Sequence, residues 1–264
     1  MFRMRIKFIG VMSLIAFSVI LKHPAISEMS LSEKSLPADT VIRDSFLSGT
    51  GLPVAKIQSV RGETVIFHRD PAVGYRAKTG LPLYQGDILQ TRENSWILCR
   101  LVGGSRLAMA PGTLLTLLQS NSNSARKSSL SFLSLKQGGV RFYVGGAPES
   151  SAFEFKVQTD TAFILAKQAD FIVKAYPERT EIIAFEKSRL EVASLAAPEE
   201  VHLITDYQRA VVRSESAAPI LETLSSGDAE ALKAEFRLVP DSKLFASGAH
   251  NYRAHGTTDE SLKD

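Results

Sequence analysis

Histidine, cysteine and paired carboxylates are the side chains from which metal sites and acid–base catalysts are most often built, and here they are scattered. Beyond residue 27 the chain has His68, His202, His250 and His255. None stands in a His-x-x-x-His or Cys-His grouping with the spacing of a metal site. The single cysteine, Cys99, sits in Ile97-Leu98-Cys99-Arg100-Leu101. Alternation puts it on the face of Ile97 and Leu101. It reads as a small buried hydrophobe, with a nucleophile or an intermolecular bridge as the other readings. Glu199 and Glu200 are adjacent, and in a strand they point to opposite faces. Ser124-Ala125-Arg126-Lys127 matches Ser-x-x-Lys, but it lies in a serine-rich stretch and no Lys-Thr-Gly partner is present. The chain has no Gly-x-Ser-x-Gly elbow and no phosphate-cradling glycine loop leading into Lys-Thr. These residues name no catalytic group, no metal ligand and no cofactor. They leave open only a site assembled from distant positions.

Recognition leaves a clearer trace than catalysis. In the strand that holds Cys99, Trp96, Leu98 and Arg100 share the face opposite to Ile97, Cys99 and Leu101. If the cysteine side faces the core, Trp96 and Arg100 are exposed. Trp and Arg are the residue types that most often anchor interfaces. The other reading is a second buried face in a two-layer fold. Trp96 and Arg100 are the candidate partner-binding residues.

The elements that would carry them have a period of two. Phe153, Phe155 and Val157 alternate with Glu154, Lys156 and Gln158. Phe171 and Val173, Ile183 and Phe185, and Leu190 and Val192 repeat the pattern. Leu133 and Leu135 lead past a bulge-prone Gly138-Gly139 to Arg141 and Tyr143. Each run is bounded by Gly, Pro, Asp or Ser, which is the pattern of an all-β sandwich or barrel. Gly86-Asp87 fits a tight turn that needs a positive φ or a free backbone, and Gly103-Gly104 fits a hairpin. Residues 119–129 read as a long polar hairpin loop, either functional or a solvated insertion.

The order of these pieces resembles the FecR domain, named for the periplasmic part of the ferric-citrate regulator. The resemblance runs from Ala77-Lys78-Thr79-Gly80-Leu81-Pro82-Leu83-Tyr84-Gln85-Gly86-Asp87 through the Gly103-Gly104-Ser105 hairpin. It continues through Leu133–Val144 and Phe153–Thr159, and covers about 160 of 264 residues. FecR domains usually have Thr-Pro-x-Ala running into Val-Arg-Gly-Thr and then a strand. Here Thr159-Asp160-Thr161-Ala162 runs in register into Ala166-Lys167-Gln168-Ala169-Asp170 and Phe171-Ile172-Val173. Lys167 stands for the Arg, Gln168 for the Gly and Ala169 for the Thr. The usual Glu-Gly before a late strand falls on Lys187-Ser188, and the late Ala-Gly-Gln element is reduced to Asp206-Tyr207-Gln208. The second half is thus the more divergent one. The resemblance implies an all-β, strand-rich sandwich or roll of short antiparallel strands with one C-terminal helix. It also implies a non-enzymatic recognition role in sensing, signalling or envelope maintenance, with an envelope protein or peptidoglycan as partner; the alternatives are a purely structural envelope protein and a wall-active enzyme with an unrecognised site. Transmembrane signalling members place an anti-sigma domain before their membrane helix. Only seven residues precede the apolar run here, so no direct sigma-factor contact is expected.

That apolar run sets the expected compartment. Arg3, Arg5 and Lys7 precede an uncharged stretch from Phe8 to Leu21, and Ala25-Ile26-Ser27 supplies small residues. This is the order of a secretory signal, with cleavage after Ser27, and the run is short for a membrane span. An uncleaved anchor is the rival, and would be the only membrane attachment. Residues 1–27 hold four basic and no acidic residues, which leaves 27 basic against 28 acidic and a net charge of −1 beyond Ser27. The whole-chain pI near 8.9 is therefore a targeting feature, and a nucleic-acid partner is not expected. The chain divides into a signal peptide (1–27), a polar leader (28–53), the β domain (54–213) and a C-terminal helix with a flexible tail (214–264). Within the leader one short helix is expected near Val41 to Leu47. In the last part, Ser225 or Ser226 can cap a helix whose stripe is Ala229, Leu232, Phe236 and Val239. The helix docks on the β body or on a partner. The protein is expected in the periplasm or secreted.

Overall fold

The structure is a computed structural model, and it describes residues 40–45, 51–68, 73–123, 128–145 and 152–236. The signal segment, Val239, His250, His255 and the tail lie outside the described residues. The chain forms two sheets, mostly antiparallel. The first runs β1 (Val41–Arg43), β4 (Val73–Arg76), β3 (Thr64–Phe67), β6 (Ile88–Thr91) and β9 (Leu114–Asn123). It continues through the front of β10 (Ser128–Val144), β11 (Ala152–Gln158), the front of β12 (Ala162–Tyr176), β14 (Arg189–Ser194) and β15 (Ala197–Thr205). The second runs β5 (Pro82–Leu83), β2 (Ala55–Arg61), β7 (Trp96–Leu101) and β8 (Arg106–Met109). It continues through the back of β10, the back of β12, β13 (Arg179–Ala184), β16 (Gln208–Arg213) and β17 (Ile220–Thr223).

Two strands thus belong to both sheets, which is how orthogonally packed sheets make their corners. β10 has 17 residues and β12 has 15, longer than the short strands the sequence suggests. The reason is that each passes through a bulge rather than ending. In β10 the buried side changes from Leu133 and Leu135 to Val140, Phe142 and Val144. In β12 it changes from Ala162, Ile164 and Ala166 to Ala169, Phe171 and Val173. An odd-to-even or even-to-odd change is what one extra residue produces in a period-two element. Both halves then feed one continuous core, with Phe142, Phe155 and Phe171 packed ring to ring at 5.1–6.4 Å.

Three local readings need correction. Val41–Arg43 form a parallel strand beside β4, not a helix, because the neighbouring edge of β4 offers backbone partners. The 119–129 stretch is mostly ladder: β9 continues to Asn123 and β10 starts at Ser128. Its polar residues satisfy one another across the strands, with Ser120 Oγ and Ser131 Oγ 3.2 Å apart and Ser129 Oγ donating to Asn121 O at 3.2 Å. Beyond residue 213 the sheet continues, since β17 pairs with β16 before the helix begins.

The helix, α1 (Ser226–Ala234), starts where Ser225 Oγ accepts from Asp228 N at 3.1 Å. It lies on the outer face of the second sheet. Ala229 and Phe236 are buried against Ile172, Ile183 and Phe185. Phe236 sits so close to Gly139 that a Cβ there would lie 3.1 Å from its ring.

Candidate functional site

The outer face of the second sheet falls into three rows across β2, β7, β8 and β10. The first row lies at the end of α1. Trp96 is half-buried there, and its Nε1 donates to the carbonyl of Glu235, the C-cap residue, at 3.3 Å. One orphan carbonyl of the helix terminus is thereby satisfied. The Arg61 guanidinium lies 5.1 Å from the Trp96 ring centre, and Lys174 Nζ meets Glu235 Oε2 at 2.7 Å. The middle row is Leu98, Ala108 and Arg141. Leu98, Ala108 and Tyr143 form a small buried cluster of their own. Arg141 is only 2% exposed and donates to both carboxylate oxygens of Asp170, from Nε at 2.9 Å and from Nη2 at 2.7 Å. Its guanidinium lies 4.5 Å from the Tyr143 ring and 5.3 Å from that of Phe185.

The third row lies beside the β7–β8 hairpin, whose turn uses Gly104 at φ +90°. Here Lys56 stands opposite Arg100, Arg100 opposite Arg106, and Arg106 opposite Tyr143. Lys56 and Arg100 are exposed and Arg106 is half-buried. Burial, and after it the Arg100 charge, lower the Arg106 pKa from its ordinary value. Alternation therefore places Trp96 and Arg100 correctly on one face. Three residues of strand separate their surroundings: Trp96 supports the helix, whereas Arg100 stands in solvent among cations.

Other groups with chemical potential are committed to structure. Cys99 is fully buried, and burial pushes its thiol pKa far above the ordinary range, so at neutral pH it stays protonated and inert. His68 Nδ1 is in contact with Asp87 Oδ1, a pair that lies 19 residues apart and has no local sequence signal. Asp87 is buried beneath the Gly86 turn, and its second oxygen accepts from Tyr84 N at 2.8 Å. The His68 ring packs on Tyr84 at 5.2 Å. Among the described residues no group of three His, Cys, Asp or Glu could hold a metal ion. Among them, too, no helix is long and apolar enough to cross a membrane.

The fold and this face define a class: a strand-switching, two-sheet β domain with one helix laid on its outer surface. The family model of the FecR protein matches residues 87–188, from the Gly86-Asp87 turn to the approach to β14, and so shows the FecR resemblance for that stretch. Two crystal structures of a candidate anti-sigma factor from Parabacteroides distasonis, at 1.65 and 2.50 Å resolution, are also similar. Their sequence identities are 17% and 16%, with a TM-score of 0.44 for both. The alignments cover 55% of this chain and 64% and 63% of those chains, less than two thirds of their length. A comparison with curated proteins gave no match.

Proposed function

We propose that this protein is a non-enzymatic recognition module of the FecR type, exported through a signal at residues 1–27 and acting in signalling or envelope maintenance. Its partner is an envelope protein, and the contact surface is the outer face of β2, β7 and β8 that carries Arg100. One observation carries the reading. The FecR match spans the β7–β8 hairpin and both sheet-switching strands, so the matched segment includes the strands that carry Arg100 and Arg106 on this face. The chemistry-bearing groups support a binding role over a catalytic one. Asp87 is spent on holding His68 and a turn, and Cys99 is sealed in the core.

Crosslinking in whole cells, read out by mass spectrometry, tests this. A defined envelope protein captured by the parent and lost on Arg100→Ala is the expected result. Capture of muropeptides instead would favour a wall-binding module. By intact mass, protein from the envelope fraction is expected to begin at Glu28. A full-length chain that resists carbonate extraction would replace the export reading with an anchor.

A further inference from the structure

Like charges placed directly opposite one another in a sheet repel, and folded proteins usually alternate them. The row Lys56, Arg100, Arg106 puts three cations on three neighbouring strands in succession. Among the described residues none of the three has an ion-pair partner. The next residue of the row beyond Tyr143 is Asp170, and both of its oxygens are already held by Arg141. The row therefore stands uncompensated, flanked by the buried cluster of Leu98, Ala108 and Tyr143.

We propose that the Lys56–Arg100–Arg106 row is the docking site for an acidic helical segment of a partner protein. The inference rests on the recognition reading above and adds the partner's chemistry. Side chains directly opposite in antiparallel strands have Cβ atoms roughly 4.5–5.5 Å apart. Carboxylates one helical turn apart have Cβ atoms about 5–6 Å apart. Three Glu or Asp at positions i, i+4 and i+7 or i+8 therefore match the three cations in spacing. Arg100 and Arg106 can each take a carboxylate through two parallel hydrogen bonds, and Lys56 adds a point charge. The overall charge of −1 beyond Ser27 argues against a general polyanion binder, because this is a local row on a near-neutral body.

The test uses the purified protein and a fluorescein-labelled helical peptide with Glu at every fourth position. Fluorescence anisotropy is read at low and at 0.15 M salt. Binding by the parent, weakened tenfold or more by Arg100→Glu with Arg106→Glu, is the expected result. Exposed Arg189→Glu, on another face, should leave it unchanged. Arg100→Gln with Arg106→Gln checks the same loss without charge reversal, and a thermal melt confirms that each variant folds. Equal binding by the parent and both double variants overturns the proposal. So does tighter, row-dependent binding of phosphatidylglycerol vesicles or of duplex DNA than of the peptide. A partner that still crosslinks in cells to the Gln double variant overturns this inference while leaving the recognition reading in place. Row-dependent peptide binding without any cellular protein partner would support the row's chemistry and count against that reading.

Discussion

Strand β10 crosses from one sheet to the other at Gly138, whose φ is +86°. A Cβ there would meet Thr113 Oγ1 at 2.5 Å, Thr113 Cα at 2.6 Å and Gly112 O at 2.8 Å. The strand runs so close because Thr113 ties it down: Gly139 N donates to Thr113 Oγ1 at 3.0 Å, and that hydroxyl donates to Gly139 O at 3.1 Å. Strand β12 makes the same crossing with no glycine. Its register shifts between Ala166 and Gln168, Lys167 and Gln168 turn out to solvent, and polar groups hold the backbone at Asp170. Ser188 Oγ donates to Asp170 O at 2.8 Å and accepts from Asp170 N at 3.0 Å. A corner can thus be specified by backbone freedom or by side-chain hydrogen bonds. Only the first leaves a residue type that announces it.

An ion pair links the two corners in addition to the backbone ladder between β10 and β12. Arg141 lies just past the β10 corner and Asp170 just past the β12 corner, and their bidentate contact fixes one against the other. The largest effect is expected here. Arg141→Ala leaves a carboxylate without its partner and removes a side chain packed on Tyr143 and Phe185. Breaking a fully buried pair costs about 3–5 kcal/mol, and because Asp170 is only half-buried the expected loss lies at the lower end, about 3 kcal/mol. Urea unfolding of Arg141→Ala, Asp170→Ala and the double variant gives the coupling between them. A coupling near zero would mean that the corners are set independently and that the pair is incidental.

Gly138→Ala comes next and separates strain from crowding. A left-handed backbone costs a residue with Cβ about 1–2 kcal/mol, and the approach to Thr113 and Gly112 adds to it. The expected loss is about 3 kcal/mol. Gly86 is the control, because its φ is +88° while a Cβ there meets nothing within 4 Å. Gly86→Ala should therefore cost about 1–2 kcal/mol, the strain alone. Equal losses at the two glycines would show that the β10 corner relaxes around a methyl group, and that its closeness to Thr113 is not what specifies it.

These glycines also mark how much of the fold the sequence discloses. Period-two alternation reveals the strands, and Gly86, Gly103-Gly104 and Gly138-Gly139 reveal turns and one bulge, because a glycine requirement is a property of a single residue. Alternation likewise puts Cys99 inside and Arg100 outside. What it cannot reveal is pairing between distant strands. Val41–Arg43 and β17 owe their strand state to neighbours that their own residues do not specify. The row of cations is likewise invisible along the chain, since Lys56, Arg100 and Arg106 meet only once the register of β2, β7 and β8 is known. The capping of Glu235 by Trp96 spans 139 residues and is hidden for the same reason.

Ser188→Ala tests the β12 corner directly. Ser188 is buried, and its own N–H is held by Asp206 Oδ1 at 2.8 Å, so the backbone stays in place when the hydroxyl is lost. The Asp170 amide then loses its acceptor. Leaving a buried donor unsatisfied costs about 1–3 kcal/mol. A melt no lower than the parent's would mean that water replaces the hydroxyl, and that the second corner is held by the Arg141–Asp170 pair alone.

The smallest effect is expected at Lys167, where this chain departs from the Arg of the usual FecR pattern. Lys167 is the extra residue of the bulge and is exposed, with no ion pair among the described residues. The corner needs one more residue at this point, not a particular side chain, because the unpaired residue of a bulge points away from the ladder. Lys167→Ala should therefore leave Tm within about 2 °C of the parent. Deleting Lys167 should instead be severe. It would straighten the strand where it must turn from one sheet into the other, although Ala162, Ile164 and Ala166 would stay in phase with Ala169, Phe171 and Val173. Thermal melts of the substitution and the deletion, compared side by side, decide between them. A large loss from the alanine variant would show that the second corner, like the first, depends on the identity of the residue that makes it.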